Sequence, residues 1–246
     1  MTEKKDIIKK GYSDIASNDC GCCSCQCGSS GNSEEIAKQI GYSNEDIEKY
    51  FGSNMGLGCG NPVALSDIEK GDIVLDLGCG GGFDSFLASE KTGVDGKVIG
   101  VDMTNEMIDK AEKNAAKNNI KNIEFILGDI EDLDLEDNSV DKIISNCVIN
   151  LSENKERVFS EAYRVLKKGG RMYVSDIVLL EELNEEQKND ETLLVGCVAG
   201  AELKEDYINK IKNAGFSVNI LDEDIEISKK QYSGINLESI KIKAIK

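Results

Sequence analysis

The sequence predicts an α/β fold: a doubly wound, mostly parallel sheet of seven strands, finished by a terminal antiparallel hairpin strand. Three observations predict it. From Asp72 onward, short apolar runs alternate with stretches of helical periodicity, and such alternation implies right-handed crossovers and a largely parallel sheet covered on both faces. The first run, IVLDLG at 73–78, is apolar at nearly every position, as expected of a strand buried on both sides. The last two runs are joined by a turn-rich segment with no helix between them, which predicts the hairpin.

The elements follow in order. Two short helices are expected at 33–40 and 43–51, the second opened by a Ser43/Asp46 capping box. The Gly-rich loop SNMGLGCGNP, at 53–62, leads into the alternating region. After the first strand, FDSFLASEKTG reads as a helix stopped by Gly93, and KVIGVDM as the second strand. Thr104 is placed to cap the next helix, on which Met107, Ala111 and Ala115 share a stripe. IEFILGD and DKIISNC form the third and fourth strands. A helix at 155–167, with Val158, Ala162, Val165 and Leu166 on one face, stops at Gly169-Gly170. RMYVSDIV is the fifth strand, 184–199 is expected to be helical, and a helix covers 204–214. SVNILDEDIEIS and SIKIKAIK complete the sheet. Two regions are expected: 1–62, a cysteine-rich loop with short helices and a covering segment, and 63–246, the sheet domain.

A net charge of −17 with no basic cluster argues against a nucleic-acid substrate. No window approaches a membrane span and the first residues lack a signal-peptide core, so a cytoplasmic address is expected. Histidine is absent, which removes the commonest general base. Nine cysteines without an export signal point to metal binding or catalysis rather than structural disulfides.

Ligands of such sheets bind beyond the carboxyl ends of the strands. There the first strand ends in Asp76-Leu-Gly78-Cys-Gly80-Gly-Gly82-Phe83. Phe83 stands where a dinucleotide fingerprint needs glycine, and the sequence instead reads D-x-G-x-G-x-G, the first motif of class I methyltransferases. The Asp76 carboxylate suits a cofactor carrying an ammonium group, namely S-adenosylmethionine. Asp102 ends the second strand, placed for both ribose hydroxyls, with Met103 beside it for the adenine face. Asp129 and Ile130 follow the third strand, Asp129 placed for the adenine amino group. Asn146, at the end of the fourth, completes the candidate cofactor set.

Three cysteines fall on the same side of the sheet. Cys59 lies in the Gly-rich loop, Cys147 directly follows the fourth strand, and Cys197 follows the fifth by an expected helix. These segments, GLGCGNP, SNCVINLS and the stretch around Cys197, together with the N-terminal cysteine-rich loop and DLGCGGG, resemble the arsenite S-adenosylmethionine methyltransferase family over essentially the whole chain. The resemblance implies that Cys59, Cys147 and Cys197 bind As(III) and are the catalytic residues. The implied chemistry is coherent. Thiolates are soft ligands suited to a thiophilic centre, and three of them leave the arsenic a lone pair directed away from the sulfurs. That lone pair carries no proton, so attack on a sulfonium methyl group needs no base, in keeping with the missing histidine.

Cys79, inside the cofactor loop, reads as a small packing residue. Cys20, Cys22, Cys23, Cys25 and Cys27 have overlapping C-x-x-C spacings without a second separated pair, which gives a zinc knuckle little support. Capture of thiol-bound arsenic, a thiol relay to the active-site cysteines, zinc and a dispensable arm all stay open for them. The stretch before Gly31 is expected to be unnecessary for cofactor binding. A small-molecule or metalloid substrate is expected, with a thiol reductant (glutathione, thioredoxin or similar) as co-substrate and partner. Methylation of an organic molecule and metalloid sequestration on the same fold are the alternatives.

Overall fold

The computed structural model describes residues 2–17, 33–232 and 234–246. The cysteines from Cys20 to Cys27 lie outside the described residues. Four helices precede the sheet: α1 (Glu3–Ser17), α2 (Ser33–Gln39), α3 (Asn44–Lys49) and α4 (Pro62–Leu65). The alternating region then runs β1 (Ile73–Leu77), α5 (Phe83–Thr92), β2 (Lys97–Asp102), α6 (Asn105–Lys117), β3 (Ile123–Leu127), β4 (Val140–Asn146) and α7 (Lys155–Val165). It ends with β5 (Leu166–Leu179), α8 (Glu185–Lys188), α9 (Glu191–Val195), α10 (Lys204–Asn213), β6 (Ser217–Asp224), α11 (Ile227–Gln231) and β7 (Leu237–Ile245).

The seven strands form one sheet in the order β3-β2-β1-β4-β5-β7-β6. The first five pair in parallel, while β7 runs antiparallel to both β5 and β6. The expected doubly wound sheet with a terminal antiparallel strand is therefore present. Between β1 and β4 the winding reverses direction, which opens a crevice at their carboxyl ends.

Local chemistry explains most boundaries. Ser43 accepts the Asp46 N–H while the Asp46 carboxylate takes the Ser43 N–H, so the capping box is formed. Gly93 ends α5, and Met107, Ala111 and Ala115 are buried along α6. Thr104 occupies the cap position of α6, but its side chain makes no capping bond.

Three expectations shift. Leu166 has extended backbone and opens β5, so α7 stops at Val165 and the fifth strand begins earlier than expected. The single helix expected over 184–199 is two, because Asp190 accepts the N–H groups of Thr192 and Leu193 and starts a new helix. The run after β6 bends into α11 instead of continuing as strand.

The core has three parts. One packs α7 and α10 against the sheet around Ile143, Phe159, Met172 and Tyr207. A second joins Tyr42, Ile47 and Tyr50 of the α2–α3 region to Val74, Phe86 and Ile144. The third lies over the carboxyl ends of β4 and β5, where Ile8 of α1 packs with Cys59, Cys147, Leu151 and Cys197. No helix among the described residues is long and apolar enough to cross a membrane.

Candidate functional site

An open cleft of about 1080 Å³ lies at the carboxyl ends of β1, β2 and β4. Its floor is the turn after β1, where Gly78, Gly80 and Gly82 all have positive φ. At Gly78 the requirement is steric as well: a Cβ there would sit 2.3 Å from Cγ2 of Val148. The Gly78 and Cys79 N–H groups bond the Val101 carbonyl at 2.8 and 3.0 Å, which ties the turn to β2.

All nine candidate cofactor residues are accounted for. Asp76, Gly78, Gly80, Asp102, Met103, Asp129, Ile130 and Asn146 line the cleft. Gly82 is the N-cap of α5, whose first turn faces it. Asp76 is buried and accepts the Ser85 hydroxyl at 2.6 Å. Asp102 accepts the Gly80 N–H at 3.0 Å and the Thr104 N–H at 2.9 Å, so it holds the glycine turn as well as facing the cleft. Asp129 is already engaged: one oxygen accepts the Glu131 N–H at 3.0 Å and the other pairs with Lys5.

Asn146 does more than its position suggested. Its amide oxygen accepts the Cys59 N–H at 3.1 Å, and its nitrogen donates to the Gly60 carbonyl at 2.8 Å and to Asp84 at 3.0 Å. One side chain thus fastens the Cys59 loop to β4 and to α5. Asp84 and Tyr42 belong to the same group, the phenol donating to Asp84 at 2.6 Å. Neither was singled out from the sequence.

The electrostatics favour a cation. Asp76, Asp84 and Asp102 stand in the same cleft, and each carboxyl is pushed above its usual range, chiefly by burial. For Asp76 the neighbouring Asp84 adds to the effect. Desolvated carboxylates without a basic partner gain from a positive ligand. A sulfonium or ammonium group fits this donor set.

The three candidate arsenic cysteines are buried and belong to one cluster. Cys59 and Cys147 are joined as a disulfide, with Cα atoms 6.0 Å apart. The sequence reading favoured thiolates over disulfides. The correction is geometric: the Cys59 loop crosses the end of β4 at the separation a disulfide requires. Cys197 is outside that bond, and its thiol donates to the Cys147 carbonyl at 2.8 Å. Its sulfur also lies 3.8 Å from the Tyr12 hydroxyl.

Both Cys147 and Cys197 adopt positive φ, 54° and 66°, a conformation that non-glycine residues seldom take and that clusters at functional sites. Cys79 is buried within the cofactor turn, where it borders the cleft, apart from this cluster. Burial and the nearby Asp102 push its thiol well up, as suits a packing residue.

A carboxylate joins the sulfurs. Among the described residues, the ligand atoms of Cys59, Cys147 and Asp176 lie within 4.8 Å of one another. Asp176 is fully buried on β5 and accepts hydrogen bonds from Asn150 at 2.8 Å, Tyr207 at 2.9 Å and the Ile177 N–H at 2.9 Å. Burial pushes its carboxyl up to about 6. Lys155, itself buried, lies beneath this group, 3.8 Å from Glu202, and burial lowers its pKa.

Helix α1 closes one side of the cleft. Lys5 and Tyr12 line it, so part of the chain before Gly31 reaches the cleft, where the sequence reading expects no role in cofactor binding.

Comparison with known proteins agrees with this geometry. Residues 68–215 match the methyltransferase domain family. The arsenite methyltransferase of Halobacterium salinarum is 42% identical over 94% of this chain and 60% of its own length. That of Aquipseudomonas alcaligenes is 40% identical over 70% of this chain and 51% of its own. The chain thus spans just over half the length of these relatives. The crystal structure of an arsenic(III) S-adenosylmethionine methyltransferase from Chlamydomonas reinhardtii superposes with a TM-score of 0.67 at 36% identity, covering 86% of this chain and 73% of that one. With the glycine turn, the buried acids and the paired cysteines in the same cleft, the chain belongs to the methyltransferase domain family and, within it, to the arsenite methyltransferases.

Proposed function

We propose that the chain methylates trivalent arsenic, with S-adenosylmethionine as methyl donor and the thiolates of Cys59, Cys147 and Cys197 as arsenic ligands. The observation that carries this reading is the contact of Cys59 with Cys147 in a buried cluster that also holds Cys197, beside a cleft of desolvated carboxylates. The Cys197 thiol reaches the Cys147 carbonyl but lies outside the group that the two sulfurs form with Asp176. Asp76 and Asp84 offer negative charge to the amino-acid end of the cofactor. Asp102 faces the ribose, and Met103 and Ile130 offer apolar contact for the adenine. When bound, S-adenosylmethionine supplies an electrophilic methyl group on a sulfonium.

The protein's part is positioning. Holding reactants in near-attack geometry can contribute roughly 7–11 kcal/mol. Asn146 links the two halves of the site, since the amide that anchors the Cys59 loop also touches Asp84. A proton acceptor is not required for an arsenic lone pair. Tyr42 would serve poorly as one, because burial and Asp84 hold its phenol protonated.

Arsenic binding needs Cys59 and Cys147 as separate thiolates. Opening their disulfide takes two electrons and two protons, which two equivalents of a monothiol, or one dithiol, supply on becoming a disulfide. This supports a thiol reductant such as glutathione or thioredoxin as co-substrate.

The test is mass spectrometry of arsenic species after incubation with arsenite, glutathione and methyl-labelled S-adenosylmethionine. Labelled methylarsenicals are expected. Cys147→Ser and Cys197→Ser are expected to abolish them without unfolding the domain. Cys59→Ser is expected to lose the first methylation and keep part of the second, because methylarsenite needs only two sulfur ligands. Near-normal methylation of both arsenite and methylarsenite by Cys147→Ser or Cys197→Ser would refute the three-thiolate site.

A further inference from the structure

One face of helix α1 touches both halves of the site. Lys5, Ile8 and Tyr12 fall at i, i+3 and i+7, hence on a single stripe. At the first position Lys5 pairs with Asp129 and lies 3.9 Å from Glu131, on the loop after β3 that borders the cofactor cleft. At the middle position Ile8 is 1% exposed and packs in the cluster that holds the three cysteines. At the last, the Tyr12 hydroxyl donates to the Val195 carbonyl at 3.3 Å and sits 3.8 Å from the Cys197 sulfur.

The helix is held closely along its length. A Cβ at Gly11 would come within 2.8 Å of Val195, so α1 meets α9 with no room for a side chain between them. On its other flank Ser13 donates to Glu106 at 2.8 Å and Lys110 reaches the Ala16 carbonyl at 3.4 Å, both on α6. A rigid displacement of α1 that uncovers Asp129 would also uncover Cys197.

We propose that α1 is a shared roof over the cofactor cleft and the thiol site, with Lys5 and Tyr12 as positioning residues, so that cofactor binding and the shielding of Cys197 are one event. The proposal rests on the reading above for the cofactor's place in this cleft. Its consequence is an order of assembly: α1 already covers Cys197, and cofactor bound under the helix would hold that cover in place, so substrate reaches Cys197 more readily before cofactor binds than after. Coupling of this kind is reciprocal between the two sites.

The experiment uses the full chain, reduced with a phosphine, and S-adenosylhomocysteine as the probe. Iodoacetamide labelling of Cys197 is followed by peptide mass spectrometry with and without saturating probe, and probe affinity is measured by calorimetry. Wild type is expected to label at least about fivefold more slowly when the probe is bound, at the lower end of ordinary coupling between sites. Lys5→Ala is expected to lose that protection and to bind the probe roughly threefold more weakly or worse, as for a partly exposed ion pair. Lys5→Arg restores both. Tyr12→Phe is expected to label Cys197 faster in the bound state and to weaken probe binding less than Lys5→Ala does. Probe binding that leaves Cys197 labelling unchanged in wild type, or full protection retained in Lys5→Ala, overturns the proposal. No arsenic enters these measurements, so failure of arsenite methylation alone leaves the result standing. A calorimetric blank removes the cofactor reading and the proposal together.

Discussion

A methyl group added at Gly78 tests how tightly the cofactor turn and the thiol segment are packed. The residue has φ +67°, and a Cβ would lie 2.3 Å from Cγ2 and 2.6 Å from Cβ of Val148. Left-handed backbone costs a non-glycine residue roughly 1–2 kcal/mol. Forcing an extra methyl into packed surroundings adds about 1–3 kcal/mol. Gly78→Ala should therefore destabilise the fold by roughly 2–5 kcal/mol, and a chain of this size loses about 2–4 °C in Tm for each. Gly71→Ala separates the two contributions, because Gly71 has φ +89° and nothing within 4 Å of a built Cβ. Its expected cost is the backbone share alone. The assay is thermal unfolding of both variants under reducing conditions, paired with calorimetric titration of S-adenosylhomocysteine. Val148 directly follows Cys147, so Gly78→Ala should also weaken binding, whereas Gly71→Ala should leave it unchanged. If Gly78→Ala melts no lower than Gly71→Ala, the packing of Val148 over the turn is not as described.

Asp102→Ala should weaken S-adenosylmethionine binding by roughly ten- to a hundredfold, since hydrogen bonds to a charged acceptor contribute about 1.5–3 kcal/mol; an unchanged Kd in a calorimetric titration removes Asp102 from the site. Asn146→Ala should lower stability by about 1–3 kcal/mol, because it strips the Cys59 N–H of its acceptor; urea unfolding that matches wild type would refute its fastening role. Asp176 sets a pH dependence. Its carboxyl rises from 3.8 to about 6 on folding, so between those values the native state binds more protons than the unfolded chain. Stability therefore falls as pH rises through that window, and the cost, about 3 kcal/mol, persists above it. Asp176→Asn should flatten urea-unfolding stability between pH 4 and 6 (roughly the window of the shift), and an unaltered slope would contradict the assignment.

The inner strands β1, β2, β4 and β5 were legible because burial on both faces leaves few polar positions, and the carboxyl ends of the strands then pointed to Asp76, Asp102, Asp129 and Asn146 without three-dimensional information. Other members of the site were illegible for identifiable reasons. Asp84 is the second residue of α5, where an acid reads as a partner of the helix dipole. It becomes part of the site only because Tyr42 and Asn146, distant in sequence, converge on it. Asp176 left a signal in the sequence: a lone carboxylate within the apolar run of β5 needs buried partners. Asn150 and Tyr207 supply them. Helix α1 also left a signal, since Ile8, Tyr12 and Ala16 recur every four residues. No helix is assigned to them from the sequence, because charged and other polar residues fill most of the positions between. The disulfide was out of reach, because Cys59 and Cys147 are 88 residues apart and nothing in their spacing brings them together.

The sheet order has a consequence for how the chain is made. Strand β6 leaves the ribosome before β7, yet β7 lies between it and β5. Until residues 237–245 emerge, β6 has no neighbour on the sheet and β5 presents a bare edge. Synthesis at roughly 5–20 residues per second makes that interval about a second or more. Over it, β5 can pair with any passing strand, including one from another nascent chain. The acidic run Asp222-Glu223-Asp224 on β6 repels a second copy of itself during that time. The net charge that says little about the fold thus acts as a safeguard on the polysome, where identical chains are most crowded. Neutralising those three positions should raise the aggregated fraction during translation, while the refolded protein loses only the modest contribution of the Lys241–Asp222 and Lys204–Glu223 pairs and of the Asp224 turn bond.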